Sequence, residues 1–216
     1  MGDTGVAIRP ARRSDVVALS ALLARAFHDD PPFVWMLPDP ASRPRRLRRF
    51  FTTLLRWDAL RFGGVEVACE PDRISGVALW LPPDHWLAPL GRQLLTLPGY
   101  ARAYGRRLGQ ASTLLRAGAA VHPREPHWYL GVVGVDPQRQ GHGVGGVLLR
   151  SRLDRCDWDG TPAYLESSKT SNVPLYEHLG FRATGVLALP EGARVITTMW
   201  RPARSPHLGT AATDPG

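Results

Sequence analysis

The stretch Asp136–Leu149, DPQRQGHGVGGVLL, decides the fold, because a cluster of glycines joins a strand-like run to a helix-like run. The glycines are Gly141, Gly143, Gly145 and Gly146. Glycine costs backbone entropy, so such a cluster directly before an aliphatic helix indicates a backbone that must approach something side chains would block. A phosphate at the helix N-terminus is the usual reason.

The composition predicts an ordinary globular protein of one large domain or two small ones. The chain has 216 residues, of which 44% are hydrophobic and 21% charged. No apolar run approaches the ~18 residues of a membrane span, and the N-terminal MGDTGVAIRP lacks the apolar core of a secretory signal. Cys69 and Cys156 form neither a disulfide framework nor a metal-ligand spacing. We therefore expect a cytoplasmic protein with no membrane partner and no metal.

The net charge of +8 comes almost entirely from arginine, since Lys169 is the only lysine. Basic charge favours an acidic ligand such as a nucleotide. Arginines cluster in RPRRLRRF (Arg43–Phe50), but leucine and phenylalanine interleave at helical spacing, so a solvated helix face is the simpler interpretation. The chain has no stripe of alternating arginine and aromatic residues, so we expect no nucleic-acid partner.

Hydrophobic periodicity predicts strands that alternate with helices. Predicted strands cover residues 6–9, 65–70, 74–82, 127–135, 163–168, 181–189 and 195–200. Predicted helices run from Ser14 or Asp15 to Phe27 and over 45–62, 145–157 and 173–179. Prolines limit Asp29–Pro40 to short helical turns and interrupt the helical segment Pro89–Ala120 at Pro98 and Gly99. The order predicts a single α/β domain with a mixed sheet over residues 1–202. Residues 203–216 have no apolar period and are expected to form a disordered tail.

Three phosphate motifs compete for the glycine cluster. A Walker A loop is excluded, because no lysine follows the glycines. The dinucleotide pattern GxGxxG matches literally at Gly141, Gly143 and Gly146, but five residues separate it from the strand, where that fold needs a tight turn. The third pattern, Q/R-x-x-G-x-G/A, is matched by Gln140, Gly143 and Gly145. It resembles the acyl-CoA loop of the GNAT family of N-acetyltransferases.

A second motif, SNVPLYEHLGF (Ser171–Phe181), has two interpretations. In the first, the stretch carries the signals of a short helix: Ser171 or Asn172 caps its start, Gly180 takes a left-handed position after its end, and Phe181 folds back on it. The same stretch is similar to N-x-x-x-Y-x-x-x-G-F, the second cofactor motif of the GNAT family, with Tyr176 as its tyrosine.

The resemblance extends over Pro126–Arg201 and is closest to the puromycin N-acetyltransferase branch. It implies a GNAT fold, a mixed twisted sheet flanked by helices and splayed where strands 130–135 and 163–168 diverge. It also implies that residues 1–122 build the acceptor side and that residues 123–202 bind acetyl-CoA as the acetyl donor. The implied acetyl-CoA contacts are Val133, Gly134, Val135, Gln140, Gly141, His142, Gly143, Val144, Gly145, Gly146, Asn172 and Tyr176.

The mechanism that the resemblance implies is direct transfer in a ternary complex. The neutral amine attacks the thioester, a backbone amide near Val133 or Gly134 holds the oxyanion, and Tyr176 protonates the departing thiolate. A phenol with a pKa of about 10 stays protonated at pH 7 and can donate to a thiolate whose acid has a pKa of about 8.5.

Glu166 is the candidate base, because strand alternation places it with Tyr164 on one face, and a carboxylate in mid-strand needs a partner. Pairing with an arginine is the structural alternative. His142 either contacts a phosphate or is incidental to the loop. His127 and Trp128 either line the acceptor entrance or pack. Some aromatic residues of the N-terminal half are expected in an acceptor pocket and most in the core: Trp35, Trp80, Trp86, Tyr100 and Tyr104.

Two classes of function remain open. The first is acetyl transfer to the amine of a small molecule, such as an antibiotic-like or aminonucleoside acceptor, or alternatively to a protein or peptide amine. The second is a non-catalytic acyl-CoA sensor, which Tyr176 argues against. A monomer or a homodimer is compatible with the sequence.

Overall fold

The strands that the structure describes form one mixed sheet in the order β1-β2-β3-β4-β5-β7-β6. This computed structural model describes residues 5–187 and 195–204. The strands are β1 (Ala7–Pro10), β2 (Val65–Glu70), β3 (Arg73–Leu81), β4 (Trp128–Val135), β5 (Ala163–Ser167), β6 (Arg182–Leu187) and β7 (Ile196–Arg201). Only β4 and β5, at the centre, pair in parallel; the other neighbours are antiparallel.

Helices cover both faces of this sheet. They are α1 (Val16–Ala26), α2 (Pro31–Met36), α3 (Arg43–Thr53), α4 (Leu90–Tyr104), α5 (Leu108–Val121), α6 (Val144–Trp158) and α7 (Val173–His178). Strand alternation on β3 divides the core in two. Val77 and Leu79 pack in the cluster that contains α1 and α3, whereas Ala78 and Trp80 pack in the cluster that contains α6. Helices α1 and α6 therefore lie on opposite sides of the strands that build the site.

The predicted single α/β domain with a mixed sheet flanked by helices is confirmed. The predicted helix 45–62 begins earlier, at Arg43, and continues beyond α3 as a π-helical turn (Leu54–Asp58) and a 3₁₀ turn (Ala59–Phe62). The short helix α2 lies inside Asp29–Pro40, as expected. Residues 188 and 189 of the predicted strand 181–189 and residues 205–216 of the predicted tail lie outside the described residues.

The interruption predicted at Pro98 and Gly99 is wrong. Helix α4 continues through both residues, and the break lies at Gly105, whose φ of 56° is left-handed. The reason is packing against α3, because a Cβ at Gly99 would lie 2.5 Å from Oγ1 of Thr53. The Pro–Gly pair thus permits a close approach of two helices and does not end one.

No helix among the described residues is both long enough and apolar enough to cross a bilayer. The assignment of residues 1–122 to the acceptor side and of residues 123–202 to acetyl-CoA stays a prediction.

Candidate active site

The parallel strands β4 and β5 pair over only three positions and then part. The pairs are Trp128–Ala163, Tyr129–Tyr164 and Leu130–Leu165. Strand β4 continues to Val135 and β5 to Ser167, so in the described structure an open gap lies between their carboxyl ends. The splay that the family resemblance implies is therefore present.

A bulge at Gly131 coincides with the point where the strands part. On β3, Trp80 faces Leu130 while the adjacent Leu79 faces Val132, so Gly131 is an additional residue on β4. The bulge reorients the rest of β4, which no longer follows β5.

Beyond the bulge, the backbone of β4 points alternately at β3 and into the gap. The Asp136 amide donates to the Ser75 carbonyl at 2.8 Å, which fixes the alternation of the antiparallel ladder. Val133 and Val135 then lie at positions that do not bond β3, so their N–H and C=O groups face the gap. The Gln140 side chain donates to the Val135 carbonyl at 3.2 Å, in agreement with that direction.

Gly134 has the opposite orientation. Its backbone groups face β3, and a Cβ there would lie 2.7 Å from Cδ2 of the fully buried Leu23. Glycine at this position therefore lets α1 pack closely on β4. Of the two residues predicted to supply the oxyanion amide, Val133 alone directs its amide into the gap.

The glycine loop lies at the open end of the gap. Gly141 and Gly143 both have φ of 80°, a left-handed conformation that favours glycine, and Gly143 is the N-cap of α6. The amides of Val144, Gly145 and Gly146 occupy the first turn, where a helix offers no acceptor. With the helix dipole, they form an anion-binding N-terminus.

Packing within the chain does not require glycine at Gly145 or Gly146. A Cβ at Gly145 would make ordinary contacts with Val135 at 3.6 Å and Leu175 at 4.0 Å, between the end of β4 and α7. A Cβ at Gly146 would meet only the flexible guanidinium of Arg150, at 3.1 Å. A methyl group would therefore fit at Gly145 without disturbing the fold, so a need for glycine there has to come from outside the chain.

Two further predicted contacts border this mouth. His142 is exposed, and its Nδ1 lies 2.9 Å from the Gln140 carbonyl, so the ring helps to shape the loop. Asn172 is exposed at the N-cap position of α7, but its side chain does not cap the helix. Asn172 thus occupies the predicted N-cap position, but the predicted hydrogen bond from the cap is absent.

The end of α7 fixes Tyr176. The Phe181 amide donates to the Tyr176 carbonyl at 3.0 Å, and the Gly180 amide donates to the Glu177 carbonyl at 2.9 Å, which is a Schellman motif. Gly180 has the left-handed φ of 92° that this motif needs, as predicted. The ring of Phe181 packs edge-on against that of Tyr176, with centroids 6.1 Å apart.

Tyr176 is a buried phenol that stays protonated. Burial and, secondarily, the charge of Asp30 raise the pKa of Tyr176 to about 12. In the described part of the chain its hydroxyl has no hydrogen-bond partner, and the hydroxyl is not fully enclosed. It is therefore free to donate to a ligand.

Asp30 is a site residue that sequence analysis missed. It lies between α1 and α2, is only 3% exposed, and accepts a hydrogen bond from the Ser168 hydroxyl just beyond β5. Burial raises the pKa of Asp30, while the Ser168 bond and the charge of Lys169 lower it. This contact joins the segment after α1, on the β4 side, to the end of β5 on the other side of the gap.

Glu166 lies on β5 immediately beyond the last pair with β4. Burial raises its pKa, and the Tyr164 hydroxyl, which donates to Oε1 at 3.2 Å, opposes that shift. Helix α5 covers it, because a Cβ at Gly118 would lie 3.5 Å from Oε2. Among the described residues no arginine pairs with Glu166, so the structural alternative finds no support in that part of the chain.

Aromatic rings surround the Glu166 side of the sheet. Trp86 stacks on His122 with centroids 3.9 Å apart, and His122 and His127 both lie against Tyr164. Burial, and secondarily the neighbouring His127, lower the pKa of His122 to about 4, so this imidazole is neutral at pH 7. Burial also lowers the pKa of His127.

The other aromatic candidates have structural roles. Trp128 faces the side of the sheet opposite to Glu166, where the guanidinium of Arg152 lies 4.5 Å from its ring centroid. Trp80 is buried on that same side. Trp35, Tyr100 and Tyr104 pack in the cluster around α1 and α3.

The arginine cluster of α3 is only partly solvated. Arg43 is buried and its Nε donates to the Leu37 carbonyl at 2.7 Å. Arg45, Arg48 and Arg49 are exposed and, with Arg25 and Arg102, line a groove of about 1000 Å³ between α1, α3 and α4. The described residues contain no group of three or more side chains that could hold a metal ion.

Comparison with known proteins agrees with this architecture. The sequence profile of the acetyltransferase (GNAT) family matches residues 25–181. An uncharacterised N-acetyltransferase of Schizosaccharomyces pombe is 29% identical over 185 residues, which cover 82% of this chain and 74% of that protein. A mycothiol acetyltransferase of Acidothermus cellulolyticus is 32% identical over 120 residues, 52% of this chain and 34% of that protein.

One solved structure superimposes over nearly the whole chain. It comes from Corynebacterium glutamicum and is described as histone acetyltransferase HPA2 and related acetyltransferase. The TM-score is 0.74 with 28% identity, over 94% of this chain and 99% of that chain. The puromycin N-acetyltransferase branch expected from the sequence is not represented among these three proteins. The family match spans most of the chain and includes the gap, the glycine loop and Tyr176, and the chain therefore belongs to the GNAT family of acetyltransferases.

Proposed function

We propose that the chain is an acetyl-CoA-dependent N-acetyltransferase that acts on the amine of a small molecule. The observation that carries the proposal is the gap between β4 and β5, with the glycine loop at its open end and Tyr176 and Glu166 beside it. A puromycin-like or aminonucleoside acceptor remains within the proposal. A protein or peptide amine is the alternative acceptor, and a silent acyl-CoA sensor is the non-catalytic alternative.

The donor binds along β4. The amides of Val144, Gly145 and Gly146, with the loop residues Gly141 to Gly143, hold the pyrophosphate, and His142 lies at the rim. The pantetheine arm takes the place of the missing strand and bonds the backbone of Val133 and Val135. Gln140 and Asn172 border the same path.

Transfer is direct. The neutral amine attacks the thioester carbonyl carbon, and the Val133 amide, which faces the gap, stabilises the developing oxyanion. When the carbon–sulfur bond breaks, the Tyr176 hydroxyl gives its proton to the thiolate, and the proton that the attacking nitrogen loses returns through solvent to the tyrosinate. Because burial raises its pKa to about 12, the Tyr176 hydroxyl remains protonated at neutral and moderately alkaline pH.

Glu166 accepts the proton of the acceptor ammonium, directly or through water. Its pKa is raised, which brings a carboxylate closer to the basicity that this transfer needs. Neither Cys69 nor Cys156 lies at the site, and burial raises the pKa of Cys156 to about 12, so no thiolate intermediate is proposed.

The first prediction tests donor binding. Coenzyme A about 100-fold above its dissociation constant should stabilise the protein by about 2.7 kcal/mol in thermal unfolding, and NAD should not. Gly145→Ala should keep the fold, since its Cβ makes only ordinary contacts, yet raise the KM for acetyl-CoA by about tenfold or more, about 1.4 kcal/mol.

Gly91→Ala is the matched control, because Gly91 is also the second residue of a helix and has open space around it. Stabilisation by NAD and not by coenzyme A would favour the dinucleotide interpretation of the loop. An unchanged KM in Gly145→Ala would contradict the phosphate cradle.

The second prediction concerns the acid. Tyr176→Phe removes one hydroxyl and should lower the turnover number by about 10² to 10⁴, with little change in acetyl-CoA affinity. Thiol release at saturating concentrations of both substrates measures the turnover number. Tyr104→Phe is the control, since Tyr104 is equally buried, at 5% exposure, in the other core cluster. Normal turnover of Tyr176→Phe would show that the thiolate leaves without this acid.

The third prediction concerns the base. The ionised form of Glu166 is the active one, so wild-type activity should fall as pH falls through its raised pKa. Glu166→Gln should lose most at low pH, where the acceptor is mostly protonated, and should recover as pH rises towards the pKa of the amine. Thiol release as a function of pH measures both profiles. A variant profile parallel to that of the wild type would assign Glu166 a structural role.

A further inference from the structure

Beside Glu166 lies a cavity of about 400 Å³. The rings of Tyr164 and Trp200 and the hydroxyls of Thr184 and Thr198 line it, with Glu125 at its edge and apolar residues of α5 and β6 completing the wall. Its volume suits a small organic molecule.

The cavity and the catalytic carboxylate share one face of the sheet. On the antiparallel pair of β5 and β7, Trp200 is opposite Tyr164 and Thr198 is opposite Glu166. Directly opposed residues point to the same face. A molecule in the cavity therefore lies beside Glu166, where β4 and β5 begin to part.

Carboxylates outnumber basic side chains around the cavity, where Arg182, opposite Trp200 on β6, shares the face but is not a lining residue. Among the described residues that line it, none is lysine or arginine, and Glu125 and the neighbouring Glu166 are carboxylates. His122 and His127 stand behind Tyr164 and contribute no positive charge at pH 7, since burial lowers the pKa of each. In a chain with a net charge of +8, the exposed arginines of α3 lie in a different groove.

We propose that the acceptor is a primary amine on a flat aromatic body with no carboxylate of its own, held against the rings of Tyr164 and Trp200. This inference rests on the proposed function and specifies its substrate. The aromatic walls favour a flat apolar body by stacking. The two carboxylates favour an ammonium, and a carboxylate on the acceptor would meet like charge.

Tryptamine and tryptophan test the charge requirement, because they differ only by one carboxylate. We expect kcat/KM for tryptamine to exceed that for tryptophan by about 100-fold or more, as like-charge juxtaposition is costly. Glu125→Arg should reduce this ratio about tenfold or more, because the exposed side chain at the cavity edge then attracts the carboxylate. Asp154→Arg, on the exposed side of α6, should leave the ratio unchanged.

Trp200→Leu tests the aromatic wall. It should raise the KM for tryptamine by about tenfold or more while changing the KM for propylamine much less, since propylamine has no ring to stack. Trp158→Leu is the control, because Trp158 is 83% exposed at the end of α6. Thermal stabilisation by coenzyme A verifies that each variant is folded.

The outcomes separate the two proposals. Tryptophan acetylated as well as tryptamine, or Trp200→Leu behaving like Trp158→Leu, would overturn the substrate assignment and leave the acetyltransferase proposal intact. Thiol release with none of tryptamine, propylamine, spermidine or a dipeptide would overturn the proposed function itself.

Discussion

The parting of β4 and β5 after Leu130 and Leu165 is the constraint on which the rest of the site depends. A central strand whose backbone groups face no partner is costly unless a ligand or solvent satisfies them. The bulge at Gly131 produces the divergence and turns the backbone of Val133 and Val135 into the gap. The chain belongs to the GNAT family. We propose that the acetyl donor binds in this gap and occupies the place that a neighbouring strand would take.

Charge follows the same geometry. At the open end, helix amides supply partial positive charge without a lysine, which suits a pyrophosphate that must be held and released. Near the closed end, Glu166 is a carboxylate with a raised pKa and the nearby imidazole of His122 is neutral. Asp30, a buried carboxylate whose pKa is also raised, lies farther along, against Ser168 beyond the end of β5. The exposed arginines of α3 line a separate groove with Arg25 and Arg102. In our proposal the anionic donor binds at the open end of the gap and the cationic acceptor lies beside Glu166.

The parts of the site that sequence analysis predicted are those encoded locally. The left-handed glycines of the loop and the Schellman motif after Tyr176 each depend on a few adjacent residues, so their spacing in the chain is sufficient. The contact between Asp30 and Ser168 joins residues 138 positions apart, and no pattern around Asp30 indicates it. Likewise, only the tertiary structure brings Trp86 onto His122 and Gly99 of α4 against Thr53 of α3.

Amide hydrogen exchange in the presence of coenzyme A tests whether the donor binds in the gap and at the first turn of α6. We expect slower exchange at Val133 and Val135, which face the gap, and at Val144, Gly145 and Gly146 of that first turn. Gly134, whose amide already faces β3, should change much less, and NAD should protect none of these amides. Protection by coenzyme A confined to other surfaces, with Val133 and the loop amides unchanged, would contradict the account.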